Sequence, residues 1–443
     1  MNRFLPIAVL ALAAPVAAPA QQSATISASA VVDSQLASFD LAVQKVYQSH
    51  FDSTFNGVNW LALRDSLRPR AIGAPRDTIR LLLRTMLGRL GQSHFAILPQ
   101  EATEANQDGR GTGVPGFEVR LIGGAVTVMS VDPTGPAAGV VQTGWVVATV
   151  DTHQVAGLIE QVKTRPGRYP EPVRVTLAVE AWLSGDPGHP FVVEFRDGQD
   201  QLVRREITRV PASGEQVKVG DFPTFFARFY GQRLSRQGVT VGLMGFNTWM
   251  VPLMRQLDSA VAAVKPVDGM ILDLRGNRGG IAAMVSGLAG HFINRKDTLG
   301  LFRTRRMNLA YAANPRRTTP AGEPATVFAG PVAILQDELS ASASEVFAGG
   351  MQSLGRVRVF GTTSLGAVLP ANWAKLPNGD VLYYAIADFI TNTGVVLEGV
   401  GVIPDQVVRP TRQDLLRGVD PVLEAAVQWI ASQRSPSSQE GNP

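Results

Sequence analysis

Two apolar runs of strand length, each breaking into a turn of small residues before a helical repeat, constrain this chain most. Met270-Ile271-Leu272-Asp273-Leu274 runs into Arg275-Gly276-Asn277-Arg278-Gly279-Gly280, and a helical pattern continues to Phe292. Pro331-Val332-Ala333-Ile334-Leu335-Gln336 leads to Ser340-Ala341-Ser342-Ala343-Ser344-Glu345, after which Val346, Phe347, Gly350 and Met351 recur at helical spacing. A further strand over 239–244, a helix over 251–264 and a closing helix opened by Asp420-Pro421 extend the alternation. From Gly220 onward the pattern predicts an α/β layer fold. A strand-to-helix turn exposes a side chain and aims free N–H groups at whatever binds beside it. Ser342 is therefore placed as a serine nucleophile would be. Ser342-x-x-Glu345 equally spells a capping box, in which the serine only satisfies a helix end. Gly279-Gly280 suits close backbone approach to a ligand, or merely a tight turn. These six-residue stretches leave both readings open.

The remaining segments differ in texture. Residues 1–20 combine Arg3, an apolar run from Phe4 to Val16 and Ala18-Pro19-Ala20, the layout of a cleavable secretory signal. The mature chain is expected to be exported, periplasmic or secreted, with no membrane span. Residues 21–108 form an expected helical segment. Its helix over 77–90 repeats Ile79, Leu82, Leu83, Met86, Leu87 and Leu90, with Asp77 as N-cap and Gly91 as stop. Residues 101–111 read as a linker. Residues 109–215 turn to short strands and turns, with strands expected over 119–121, 126–130 and 145–150, and a terminal hairpin around Asp197-Gly198. Residues 216–432 carry the α/β pattern, and a polar, disordered tail is expected over 433–443.

Composition narrows the chemistry. At 443 residues the chain exceeds a single core, and 45% hydrophobic residues supply ample material for several. The formal charge of +4 is small and scattered, which argues against a nucleic-acid partner. With no cysteine, thiol catalysis, thiolate metal sites and disulfides are excluded. Neither a His-x-x-x-His pair nor an acidic loop suggests a metal, so no metal or cofactor is expected. A serine nucleophile needs a base, and the histidines are His50, His94, His153, His189 and His291. His153 and His189 fall in the strand-rich region, and His291 follows an apolar helical face. His50 stands at a helix end with no partner nearby in sequence. His94 leaves a helix beside Ser93 and just before an extended segment, which singles it out.

Taken together, Ser93-His94, Asp273-Leu274-Arg275-Gly276-Asn277-Arg278-Gly279-Gly280, Ser340 to Glu345 and Glu398-Gly399-Val400-Gly401-Val402-Ile403-Pro404-Asp405 resemble, in order and spacing, the C-terminal processing (tail-specific) serine peptidase superfamily. The stretch from Pro136 to Asp151 is similar to the PDZ signature of exported proteases, with Trp145 in place of the usual Asp. The resemblance implies a ClpP/crotonase-like layered α/β core with an inserted PDZ-like β-rich domain. It makes Ser342 the nucleophile, with Gly279, Gly280 and the amide of Ala343 as the oxyanion hole. In the Ser-Lys members a Gly-x-x-x-x-Gly-Lys element supplies the base, whereas Gly361-Thr362-Thr363-Ser364-Leu365-Gly366-Ala367 ends here in alanine. Lys375 lies nearby but off the motif. The tricorn-core-like branch uses Ser-His and a C-terminal glutamate instead, so the resemblance implies His94 as base, with Ser93 and Glu398 orienting it. The expectation is an exported serine endopeptidase acting on extended or unfolded polypeptides near their C-termini, the PDZ-like domain holding the substrate tail. The alternative is an inactive relative that binds peptides or apolar ligands. An α/β esterase lacks its Gly-x-Ser-x-Gly elbow.

Overall fold

The computed structural model describes residues 28–434, except 108–109, 221–223, 264–265, 320–321 and 323. The expected signal segment and nearly all of the expected disordered tail lie outside the described residues. The central element is a six-stranded sheet in the order Phe229–Arg236, Val239–Phe246, Gly269–Asp273, Val332–Gln336, Arg358–Gly361 and Gln406–Val407. The first pair is antiparallel and the other neighbours are parallel. Side chains alternate across it, as pleating requires. Met244, Leu272, Ile334 and Val359 share a core with helices Leu253–Ala263, Ala283–Ala289 and Ala343–Ser353. Leu243, Ile271, Ala333, Leu335 and Phe360 pack on the other face against helix Pro421–Ser432. Covered on both faces, the inner strands read as unbroken apolar runs. Asp420 caps the last helix through Val422 and Leu423 N–H, as its position before Pro421 predicts.

The lead-in packs helices Ala28–Ser49, Trp60–Ala71 and Arg76–Arg89 over the hairpin Ala371–Lys375/Val381–Ala385. Strand Ala96–Leu98 joins that hairpin antiparallel, with Ala96 opposite Tyr383. Two sequence expectations fail here. The 101–111 linker is largely helix, Gln100–Gln107. It has no apolar face to betray it; it is held instead by Glu101, which takes an ion pair from Arg80 at 2.6 Å. The N-cap of Arg76–Arg89 is Pro75, and Asp77 lies in the first turn, where its charge still favours the helix dipole.

The inserted region has its own core under an antiparallel sheet of Phe117–Ile122, Ala125–Val131, Val146–Val150, Pro190–Arg196 and Leu202–Thr208. It is less purely β than expected. Helices Val155–Thr164 and Glu171–Leu183 cover the sheet with Ile159, Val175, Val179 and Leu183. Gly113–Val114 pairs with Val210–Pro211, so the chain enters and leaves the insert side by side. A three-stranded sheet of Asn308–Ala312, Thr298–Arg303 and Asp388–Thr391, unforeseen in the sequence, flanks the serine helix.

Candidate active site

Strand Val332–Gln336 ends, the chain turns through Asp337 to Ala341, and helix Ala343–Ser353 begins. Ser342 stands at the junction with φ 57°. A non-glycine residue there costs about 1–3 kcal/mol and persists only where its surroundings dictate it. Those surroundings are the other two serines. Ser340 Oγ donates to Leu274 O at 2.8 Å and accepts from Asp337 N–H at 3.0 Å. Ser344 Oγ donates to Asn277 O and accepts from Trp249 Nε1–H, both at 2.9 Å. The Ala341 N–H also reaches Asn277 O. The serine turn is thus bolted to the Asp273–Gly280 turn of the neighbouring strand.

Gly279 lies against Ser342: a Cβ on it would come within 2.8 Å of Ser342 Cβ and 3.1 Å of Ala343 N. Gly280, at φ 150°, packs its α-carbon on the Trp249 backbone, where a Cβ would meet Trp249 O at 2.4 Å. Among the three expected oxyanion donors, the Gly279 N–H is donated to Asn277 Oδ1 at 3.0 Å. Gly280 and Ala343 N–H donate to none of the described residues.

Glu345 accepts from Ser342 N–H (2.9 Å), Ser364 Oγ (2.6 Å), Gly366 N–H (2.7 Å) and Ala367 N–H (2.9 Å). It is fully buried, and burial pushes its carboxyl up to about 7 against the pull of these four donors. The capping-box spacing was therefore informative about Glu345, whose carboxylate also ties the serine turn to the segment through 364–367. Ala367 is buried with no exposed surface, among Leu339, Ala341, Leu365 and Val173. Lys375 lies on the exposed side of its strand and is not brought to the site.

A second bonded unit forms from residues far apart in sequence. Glu398 accepts Ser93 N–H on Oε1 at 2.7 Å and Ser93 Oγ–H on Oε2 at 2.8 Å. Ser93 Oγ is 2.6 Å from His94 Nδ1. A hydroxyl has one proton, and here the carboxylate takes it. Nδ1 must then carry the imidazole proton and donate to Ser93, which leaves Nε2 with a free lone pair. Nε2 is buried and has no hydrogen-bond partner among the described residues, so the bond from Ser342 Oγ to Nε2 is not made in this structure. Burial, aided by the charge of Arg168, pushes the imidazole down to about 3, so the ring is neutral at pH 7. His94 itself has φ 62° and its ring lies 5.6 Å from that of Tyr383.

The two units meet along one segment. Ala367 N–H goes to Glu345 on the serine side, and the next amide, Val368, goes to Glu398 at 3.0 Å. Gly399 N–H also bonds Gly366 O at 2.8 Å. A cleft of about 740 Å³ opens on the Glu398 side, bordered by Gln92, Arg168, Tyr169, Glu338 and Ser364.

Sequence reasoning missed Arg168. It lies between the two helices of the insert, donates to Glu398 Oε1 at 2.5 Å and also reaches Gly91 O. Nothing in its neighbourhood marks it, because its partner is 230 residues away. The other histidines fall elsewhere. His153 and His189 are exposed, His291 pairs with Asp258 at 2.6 Å, and His50 is fully buried.

The chain is similar to known peptidases. Residues 240–408 match the model of peptidase family S41. A chloroplastic C-terminal processing peptidase of Tetradesmus obliquus is 27% identical over 401 residues, spanning 88% of this chain and 80% of its own. A carboxyl-terminal-processing protease of Picosynechococcus sp. is 24% identical over 375 residues, spanning 82% and 80%. The fold is similar to that of the photosystem II D1 C-terminal processing protease, at TM-score 0.58 and 22% identity over 90% of this chain and 98% of that one. Mature CPAF gives TM-score 0.59 at 12% identity, with 91% and 99% covered. A mixed α/β fold with this family's motifs defines a serine-type peptidase. The chain is similar to the C-terminal processing peptidases, and its residues 240–408 to peptidase family S41. The inactive-relative alternative finds no favour in these similarities.

Proposed function

We propose that this chain is an exported endopeptidase that cleaves extended polypeptides near their C-termini through Ser342, with His94 as general base. The observation that supports the base is the proton chain from His94 Nδ1–H to Ser93 Oγ–H to Glu398, which presents an unprotonated Nε2. Approach of substrate would close the Ser342 Oγ to Nε2 bond, a contact that commonly tightens only in the substrate complex. Nε2 then takes the serine proton as Oγ attacks the scissile carbonyl, and returns it to the leaving amine. Gly280 and Ala343 N–H are the amides free to stabilise the oxyanion, and Gly279 joins them on releasing Asn277. Residues 109–215 act as a PDZ-like domain that takes the substrate tail as an added strand, and 216–432 form the layered peptidase core. A cleavable leader at 1–20 directs export to the periplasm or beyond.

The test is fluorophosphonate labelling and proteolysis of an unfolded protein by the mature chain, beside Ser342→Ala, His94→Ala and Lys375→Ala. Loss of about 10³–10⁶-fold in the first two, and none in the third, is expected. Activity kept in His94→Ala but lost in Lys375→Ala would overturn the choice of base.

A further inference from the structure

His50 ends the helix Ala28–Ser49 and is fully buried, yet both its ring nitrogens are engaged. Nε2 is 2.9 Å from Gln92 Oε1, and Nδ1 is 3.1 Å from the Asp52 N–H and 2.8 Å from Asp52 O. Gln92 thus engages one ring nitrogen and the Asp52 backbone the other, with the proton's place set by the tautomer, and the neutral ring is satisfied at both ends. Its faces are covered by Phe51, at 4.9 Å between centroids and 13° between planes, and by Phe95, at 5.5 Å and 11°. Gln92 immediately precedes Ser93-His94, and Phe95 immediately follows. One buried imidazole thus holds both flanks of the pair, one by a directed bond and the other by a stacked ring. Between those flanks His94 is kept at φ 62°, a conformation the chain does not adopt without external support. A second tie acts from the same turn, since Asn56 Nδ2 donates to Leu90 O at 2.8 Å.

We propose that His50 is the positioning residue for the Ser93-His94 pair: it fixes the turn that aims Nε2, without touching substrate or the reacting atoms. This rests on His94 being the base. A stacking ring alone, such as phenylalanine, would fill the space but leave Gln92 free to swing, and small misplacement of a base costs on the order of 10²-fold in rate.

The experiment compares His50→Phe, which keeps the stack and loses the bond, with Gln92→Leu, which removes the partner of Nε2 and leaves the ring in place. The expected result is a fall of about tenfold or more in kcat and in fluorophosphonate labelling rate for each, with KM within about twofold, measured below the lowered thermal midpoint where each variant is fully folded. The double variant should fall no further than the worse single, because both break one bond. Should His50→Phe fail to fold, Gln92→Leu carries the same readouts. An inactive His94→Ala beside wild-type kcat in Gln92→Leu or in folded His50→Phe overturns this inference alone. Losses that multiply in the double variant, or that merely track the unfolded fraction, do the same. An active His94→Ala overturns both this and the reading on which it rests.

Discussion

At the scale of single residues, the site is governed by where a few protons and charges lie. Arg168 is the charged neighbour that, after burial, holds the His94 imidazole down. Removing that positive charge must raise the His94 pKa, since a nearby cation disfavours the imidazolium. Arg168→Met is therefore expected to move the acid limb of the kcat/KM profile to higher pH, the limb that reports the free enzyme's base. A limb left in place would count against His94. Glu345 is a different case. Glu345→Ala strands the Ser342, Gly366 and Ala367 amides and the Ser364 hydroxyl, all buried, and should cost about 2–4 kcal/mol in a denaturant melt. A loss below about 0.5 kcal/mol would show that this carboxylate does not anchor the serine turn.

Among the elements, the serine turn depends on its neighbour. Ser340, Ala341 and Ser344 bond Leu274 and Asn277, so the two strand-to-helix turns form one body. Gly280→Ala would drive a Cβ to within 2.4 Å of Trp249 O, which is backbone and cannot simply rotate away. A folded chain with unchanged circular dichroism but at least about tenfold slower fluorophosphonate labelling is expected, because the shift reaches the Gly279–Ser342 contact. Labelling at the wild-type rate would remove Gly280 from the site. These turns were legible in the sequence because each is a short apolar run meeting small residues. Helix Gln100–Gln107 was not, since its support is an ion pair to Arg80 rather than an apolar stripe.

For the whole molecule, two histidines are buried neutral, His94 and His50, both held below 6.5 by burial first. The unfolded chain binds protons on them near pH 6.5, whereas the folded chain holds off protonating His94 until about pH 3. Between those limits these histidines carry more protons in the unfolded state, so their contribution to stability rises with pH and is lost as pH falls from about 6.5, while Glu345, raised to about 7, contributes with the opposite sign. His94→Phe should therefore gain stability relative to wild type as pH falls through that window, a difference read from paired thermal midpoints. A difference that stays constant across the window would mean that His94 is not buried neutral.

The sequence by itself determined the alternation of strands and helices, the turns that carry Ser342 and Gly279-Gly280, and the short set of histidines from which a base could come. Those features are local, written in apolar period and in where small residues interrupt it. What the tertiary structure alone decided is which oxygen takes which proton. Ser93 meets Glu398 across 305 residues, the Ala367 and Val368 amides divide between Glu345 and Glu398, and Arg168 arrives from the insert. Hydrogen bonds between side chains brought together only by folding leave no periodicity in the chain, so the state of His94 became readable only when its partners were in place.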